Sequence, residues 1–189
     1  MNSSTKSSIL FSLGLILIIA NVAQGHVKVT ASLVPKLCES GLVEERAKCM
    51  DMLRSNPKIQ SAKSFRELSE LILELAVKKA TEGQKFLQTL AEKEKSSAIQ
   101  ECAGLDYNDA VVQFKGALRD LKEDTSAANY ASKIVGDDVS RCHTILARAK
   151  IVNPAIDHLN SDISLLSNLA FAATSLIEKK YQIDLLLED

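Results

Sequence analysis

CAGLDYNDAVVQFKGALRDLKEDTSAANYASKIVGDDVSRC, residues 102–142, decides how the chain folds. Before its polar break at Lys122-Glu123-Asp124-Thr125, apolar and small residues recur at helical steps: Ile99, Cys102, Ala103, Ala110, Val111, Phe114, Leu118 and Leu121. After the break, Ala128, Ala131, Val135, Val139, Cys142, Ile145, Leu146 and Ala149 do the same. Steps of three and four place side chains on one helical face, so the stretch reads as two amphipathic helices joined by a turn. In an antiparallel hairpin, facing residues have numbers that add to twice the turn centre. Cys102 and Cys142 give 244, hence a centre at 122, beside the observed break. The two cysteines are therefore expected to face each other and to form a disulfide far from the turn.

Working outward towards the N-terminus, Leu42 to Arg54 reads as a short helix carrying Cys49, Met52 and Leu53. Cys38-Glu39-Ser40-Gly41 reads as a turn after a lead-in over 28–37, and Cys38 and Cys49 pair by elimination to close a small helical hairpin. Ser55-Asn56-Pro57 ends it, since proline pushes the preceding residue out of the helical region. Ser64-Phe65-Arg66-Glu67 has the form of a capping box and opens a long helix. The stripe of that helix is Leu68, Leu71, Ile72, Leu75, Ala76, Phe86, Leu87 and Leu90, with Gly83 a soft spot inside it. Ser96-Ser97 starts the next helix. After Cys142, Asn153-Pro154 starts the last, asparagine as cap and proline at the first helical position. The fold class is thus all-α: an up-down-up-down four-helix bundle with the short N-terminal hairpin as an appendage and two disulfides.

The N-terminus carries a different message. Ile9–Ala20 is an apolar run of twelve residues after Lys6, and Ala23-Gln24-Gly25 supplies small residues for cleavage. Residues 1–25 read as a secretory signal peptide and 26–189 as one domain. Removing 1–25 takes a single charge, Lys6, leaving 22 basic and 24 acidic residues and a net charge of −2. That balance argues against a nucleic-acid binder. No later apolar run is long enough to span a bilayer, and the acidic C-terminus is too short for a lipid-anchor signal. Export to an oxidising compartment agrees with an even number of cysteines.

Catalytic chemistry has little to stand on. There is no Gly-x-Ser-x-Gly, no phosphate-binding glycine loop and no His-Glu-x-x-His. His26, His143 and His158 read as terminal or surface residues, and no Cys or His spacing fits zinc. No cofactor and no metal are expected. Asp106, Asp109 and Asp120, and Asp137-Asp138, read as solvated faces. Tyr107 and Tyr130 read either as half-buried core rings or as anchors in a partner interface, where tyrosine is favoured. A rigid bundle of this kind is expected to act through its surface, as a binder of a protein or a carrier of an apolar ligand, and not as an enzyme.

Three stretches, set on four ordered cysteines, resemble the plant invertase/pectin methylesterase inhibitor family. They are Asp51-Met52-Leu53-Arg54-Ser55-Asn56-Pro57 after the first cysteine pair, Cys102 to Val111, and Tyr130 to Cys142. The second matches the family's Cys…Tyr-x-Asp-Ala-Val, with Tyr107 one residue farther from Cys102 than the family has it. The third places Ser132-Lys133-Ile134-Val135 where the family has Ser-Ala-Ala-Leu, again one residue farther from its cysteine. The resemblance implies a secreted inhibitor in the apoplast, or alternatively the vacuole, that occludes a cell-wall carbohydrate-active enzyme. Invertase inhibitors of this family present Pro-Lys-Phe at the head of the third bundle helix; here Thr125-Ser126-Ala127 stands there. Pectin methylesterase is accordingly the first expected partner and acid invertase the second. Tyr107, Tyr130, Thr125, Ser126 and Ala127 are the expected partner contacts.

Overall fold

The computed structural model describes residues 32–187, with side chains described to residue 178. The signal-peptide reading, His26 and the start of the 28–37 lead-in lie outside them. Among the described residues every regular element is helical. The N-terminal part holds α1 (Val34–Cys38), α2 (Arg46–Arg54) and α3 (Pro57–Gln60). Four long rods follow. The first is α4 (Phe65–Glu94). The second is built from α5 (Ser97–Glu101), a π-helical turn (Cys102–Asp106) and α6 (Tyr107–Asp120). The third is α7 (Thr125–Arg148) and the fourth α8 (Pro154–Leu187). Each rod packs on the next in sequence, and the fourth returns to the first, the closed up-down-up-down square.

The rods begin where side chains can accept orphan amide protons. Ser64 accepts from the Glu67 amide at 3.1 Å, Ser96 from Ile99 at 3.3 Å, Asp124 from Ala127 at 2.9 Å, and Asn153 from Ala155 at 3.0 Å. The Glu67 carboxylate reaches back to the amide of Lys63 at 2.8 Å, one residue beyond the Ser64 amide that a capping box would use. Two rods end on lysines in the left-handed region, Lys95 (φ 49°) and Lys150 (φ 58°).

Three expectations need correction. The α2 helix starts at Arg46 rather than Leu42, because the chain leaves Gly41 at φ +75° and the Leu42 amide is held by the Ser40 hydroxyl at 3.3 Å. The N-terminal hairpin is not an appendage: Val34, Leu37, Cys49, Leu53 and Ile59 are wholly buried and continuous with the bundle core. Gly83 is not a soft spot. It is buried, and a Cβ there would come 2.8 Å from Leu159 Cδ1 and 2.9 Å from Tyr107 Cε1. Glycine at this position lets the second and fourth rods close on the first.

Both disulfides form as the hairpin geometry requires. Cys102–Cys142 joins the second and third rods with Cα atoms 4.9 Å apart, and Cys38–Cys49 joins α1 to α2 at 5.8 Å. The π turn begins at Cys102. An extra residue in an α-helix would rotate everything after it by about 100°. A π turn absorbs one residue and restores the face. Cys102, Ala103, Asp106, Tyr107, Ala110 and Phe114 consequently all stay buried, although Tyr107 is one position farther from Cys102 than in the family pattern.

Candidate partner-binding face

The head of the third rod is stitched down. Arg66, from the first rod, donates one guanidinium nitrogen to the Leu121 carbonyl and another to Thr125 Oγ1 at 3.3 Å. Ser126 Oγ donates to Glu178 Oε1 at 2.7 Å, from the fourth rod. The Ala127 amide is taken by the Asp124 cap. These residues border a surface cavity of about 510 Å³ together with Glu123, Asp124, Ile177 and Glu178. Its lining carries three carboxylates, Glu123, Asp124 and Glu178, and the committed guanidinium of Arg66. Thr125, Ser126 and Ala127 themselves offer neither a cation nor a ring.

The two tyrosines part company. Tyr107 is wholly buried and therefore cannot touch a partner, which corrects the expectation that it does. Its hydroxyl donates to Asn160 Oδ1 at 2.7 Å, and its ring fills the space that Gly83 leaves. Burial first, then the charges of Asp162 and Asp106, push its phenol far above the ordinary range, so it stays a neutral donor. Asn160 turns its amide towards Cys142 Sγ at 3.9 Å. A polar seam thus joins the second, fourth and third rods at the level of the disulfide, with Gly83 admitting it from the first. Tyr130 is the opposite case: it is 67% exposed on the third rod. Leu105 and Val112, seven positions apart on the second rod, are also about half exposed or more.

Between these rods the acids are not a solvated face, which corrects the reading of Asp106 and Asp138. Asp106 is wholly buried and the Asp138 side chain is 10% exposed. Both accept from Arg141, Asp106 Oδ1 from Nε at 3.0 Å and Asp138 Oδ1 from a terminal nitrogen at 2.9 Å, while Asp109 stands 3.6 Å away. The Oδ2 atoms of Asp106 and Asp138 have no hydrogen-bond partner among the described residues. Burial raises both carboxyls above the ordinary range against the pull of Arg141. Beside the cluster a groove of about 460 Å³ runs over Leu105, Asp137, Arg141 and Ile145.

Metal chemistry finds one grouping among the described residues, Cys102, Asp106 and Cys142, whose ligand atoms lie within 4.8 Å of one another. Its two sulfurs are bonded to each other, so neither is a thiolate that could bind an ion. His143 and His158 are exposed.

Sequence reasoning missed Arg141, Asn160 and the packing role of Gly83. A signal existed for the first. Asp106 and Asp138 also have numbers adding to 244, the relation that pairs the cysteines, and Arg141 follows Asp138 by three, one helical turn.

A family model described as plant invertase/pectin methylesterase inhibitor matches residues 32–173. Among solved structures, a mutant form A of a pectin methylesterase inhibitor from Arabidopsis is similar in fold, with a TM-score of 0.67 and 17% identity, over 77% of this chain and 97% of that one. A pectin methylesterase inhibitor from Arabidopsis thaliana gives 0.56 and 18% identity, over 75% of this chain and 93% of that one. No curated protein matches the chain.

Proposed function

Because the chain belongs to the plant invertase/pectin methylesterase inhibitor family, we propose that it is a secreted proteinaceous inhibitor whose first target is pectin methylesterase. Residues 1–25 are cleaved on export in this reading, and 26–189 act in the apoplast. The inhibitor binds as a rigid body and covers the cleft of the enzyme, excluding the polymer. Binding uses the outward side of the second and third rods, where Tyr130, Leu105 and Val112 offer apolar area that the bundle itself does not bury.

The observation that carries the choice of target is the head of the third rod. An inhibitor that enters an invertase cleft with lysine and an aromatic ring needs both to project from this point. Here Thr125 and Ser126 are tied to Arg66 and Glu178, and Thr125-Ser126-Ala127 supplies neither group. A carrier of an apolar ligand is supported less well. The cavity of about 640 Å³ between α2 and the first and fourth rods lies open at the surface, with Lys48, Asp51, Lys79 and Asp162 set among Met52, Leu75 and Leu165, whereas a carrier's pocket buries most of its ligand.

Parallel inhibition titrations at mildly acidic pH test the reading. Purified, oxidised protein is expected to inhibit pectin methylesterase and to inhibit acid invertase at least about a hundredfold more weakly, the cost of two missing anchors. Strong invertase inhibition without effect on the esterase would reverse the order. No effect on either enzyme would favour the carrier.

A further inference from the structure

The cluster on Arg141 is more than a link between two helices. One guanidinium serves Asp106 and Asp138, with Asp109 at its edge, and the inner oxygens of the first two point into the protein without a donor. With all three carboxylates ionised, the cluster carries two negative charges more than its cation offsets. Two of those carboxylates have been taken out of water, and each orphan oxygen has lost its hydration with nothing in return. One guanidinium cannot compensate for that. A proton can, since it removes one buried charge and relieves the repulsion between the pair.

We propose that Asp106 and Asp138 form a proton-binding clamp, which takes up a proton more readily than an exposed aspartate as the surroundings acidify and then holds the second and third rods together more firmly. The charged groups that act on the pair come from three elements. The α5 helix supplies Glu101 and α6 supplies Asp109, both of which favour proton uptake; α7 supplies Arg141, which opposes it. Burial is the largest influence on both carboxyls and raises them above their ordinary value of 3.8. A group whose folded-state value is raised stabilises the fold fully below its unfolded value. That stability is lost as pH rises through the folded value. The clamp therefore tightens on acidification and loosens towards neutrality. The inference is independent of the partner enzyme and goes beyond the inhibitor reading.

The test is thermal unfolding of the full oxidised chain between about pH 4.5 and 7.5, for the wild type, Asp106→Asn and Asp138→Asn. Asparagine keeps an acceptor for Arg141 but cannot titrate. Other acids and histidines titrate alike in all three proteins, so their effects cancel in the comparison. The wild-type Tm is expected to fall across this range by more than that of either variant, by up to about 3–5 °C for each pH unit by which a carboxyl is raised in a domain of this length. Parallel curves would overturn the clamp, including curves displaced equally at every pH by a purely structural loss. Carbon-detected NMR of the wild-type aspartate carboxyls gives a readout that does not depend on the variants folding. A midpoint clearly above the ordinary aspartate value supports the clamp, and midpoints all at or below it refute the clamp.

Discussion

The two disulfide-closed hairpins of this molecule are held in different ways. Around Cys38–Cys49, eleven residues apart, the interior is apolar: Val34, Leu37, Leu53 and Ile59 are wholly buried, and the ion pairs Glu39–Arg46 and Glu45–Lys48 lie outside. Around Cys102–Cys142, forty residues apart, the interior is polar. Tyr107, Asn160, Asp106, Asp138 and Arg141 surround the bridge, and they come from three rods. The first is a local staple, where apolar packing sets the shape. The second fixes the register of the bundle, because the Tyr107–Asn160 bond and the Arg141 bonds to Asp106 and Asp138 each form in one register only. Polar groups in an interior cost free energy unless paired, so they penalise slippage more than leucines do.

The comparison can be broken first at the bridges themselves. Loop-closure entropy makes the longer bridge worth about 4 kcal/mol and the shorter about 3 kcal/mol. Urea unfolding of the paired variants Cys102→Ala/Cys142→Ala and Cys38→Ala/Cys49→Ala should show losses in that order. A larger loss from the N-terminal pair would mean that the hairpin at Cys38, and not the bundle seam, governs stability.

Smaller changes sharpen the same contrast within the seam. Gly83→Ala drives a methyl group against Leu159 and Tyr107 and is expected to cost about 1–3 kcal/mol. Tyr107→Phe strands the Asn160 carbonyl in the interior, a loss of about 1–2 kcal/mol. Gly116, which has nothing within 4 Å of its missing Cβ, is the control: Gly116→Ala should be neutral or stabilising. Differential scanning calorimetry of the three distinguishes a tight seam from general sensitivity to glycine replacement. The smallest effect belongs to the left-handed positions. The N-terminal turn uses Gly41, whereas the bundle uses Lys95 and Lys150. Lys150→Gly relieves the strain of a side chain at positive φ but frees the unfolded chain, for a net gain of at most about 1 kcal/mol. A loss instead would show that the lysine side chain itself holds the link between the third and fourth rods.

How much of this was legible depended on what each residue looks like without its neighbours. The four rods and the bridge at Cys102–Cys142 follow from spacing, and the caps at Ser64 and Asn153 from residue type, because helical periodicity and hairpin register are local rules; the Asp124 cap lay hidden in the polar break. The π turn was not legible: Cys102, Ala103, Asp106 and Tyr107 fit an α-helical stripe as well as a π turn, and only the family spacing hinted at an extra residue. Tyr107 and Tyr130 looked alike, since the void that buries one is made by Gly83, far away in sequence, and completed by Leu159 and Asn160. Asp106 and Asp138 were read as solvated because acids on helices usually are. The hairpin relation that pairs the cysteines nevertheless sets these two acids opposite each other.

The central functional claim is that the two tyrosines have separate duties, Tyr107 building the bundle and Tyr130 meeting the partner. The most direct measurement is the affinity of immobilised pectin methylesterase for the wild type, Tyr107→Phe and Tyr130→Ala, at a temperature where all three are folded. Tyr107→Phe is expected to bind as the wild type does, despite its lower Tm, and Tyr130→Ala to bind about tenfold more weakly or worse. Loss of binding in Tyr107→Phe with none in Tyr130→Ala would contradict the account.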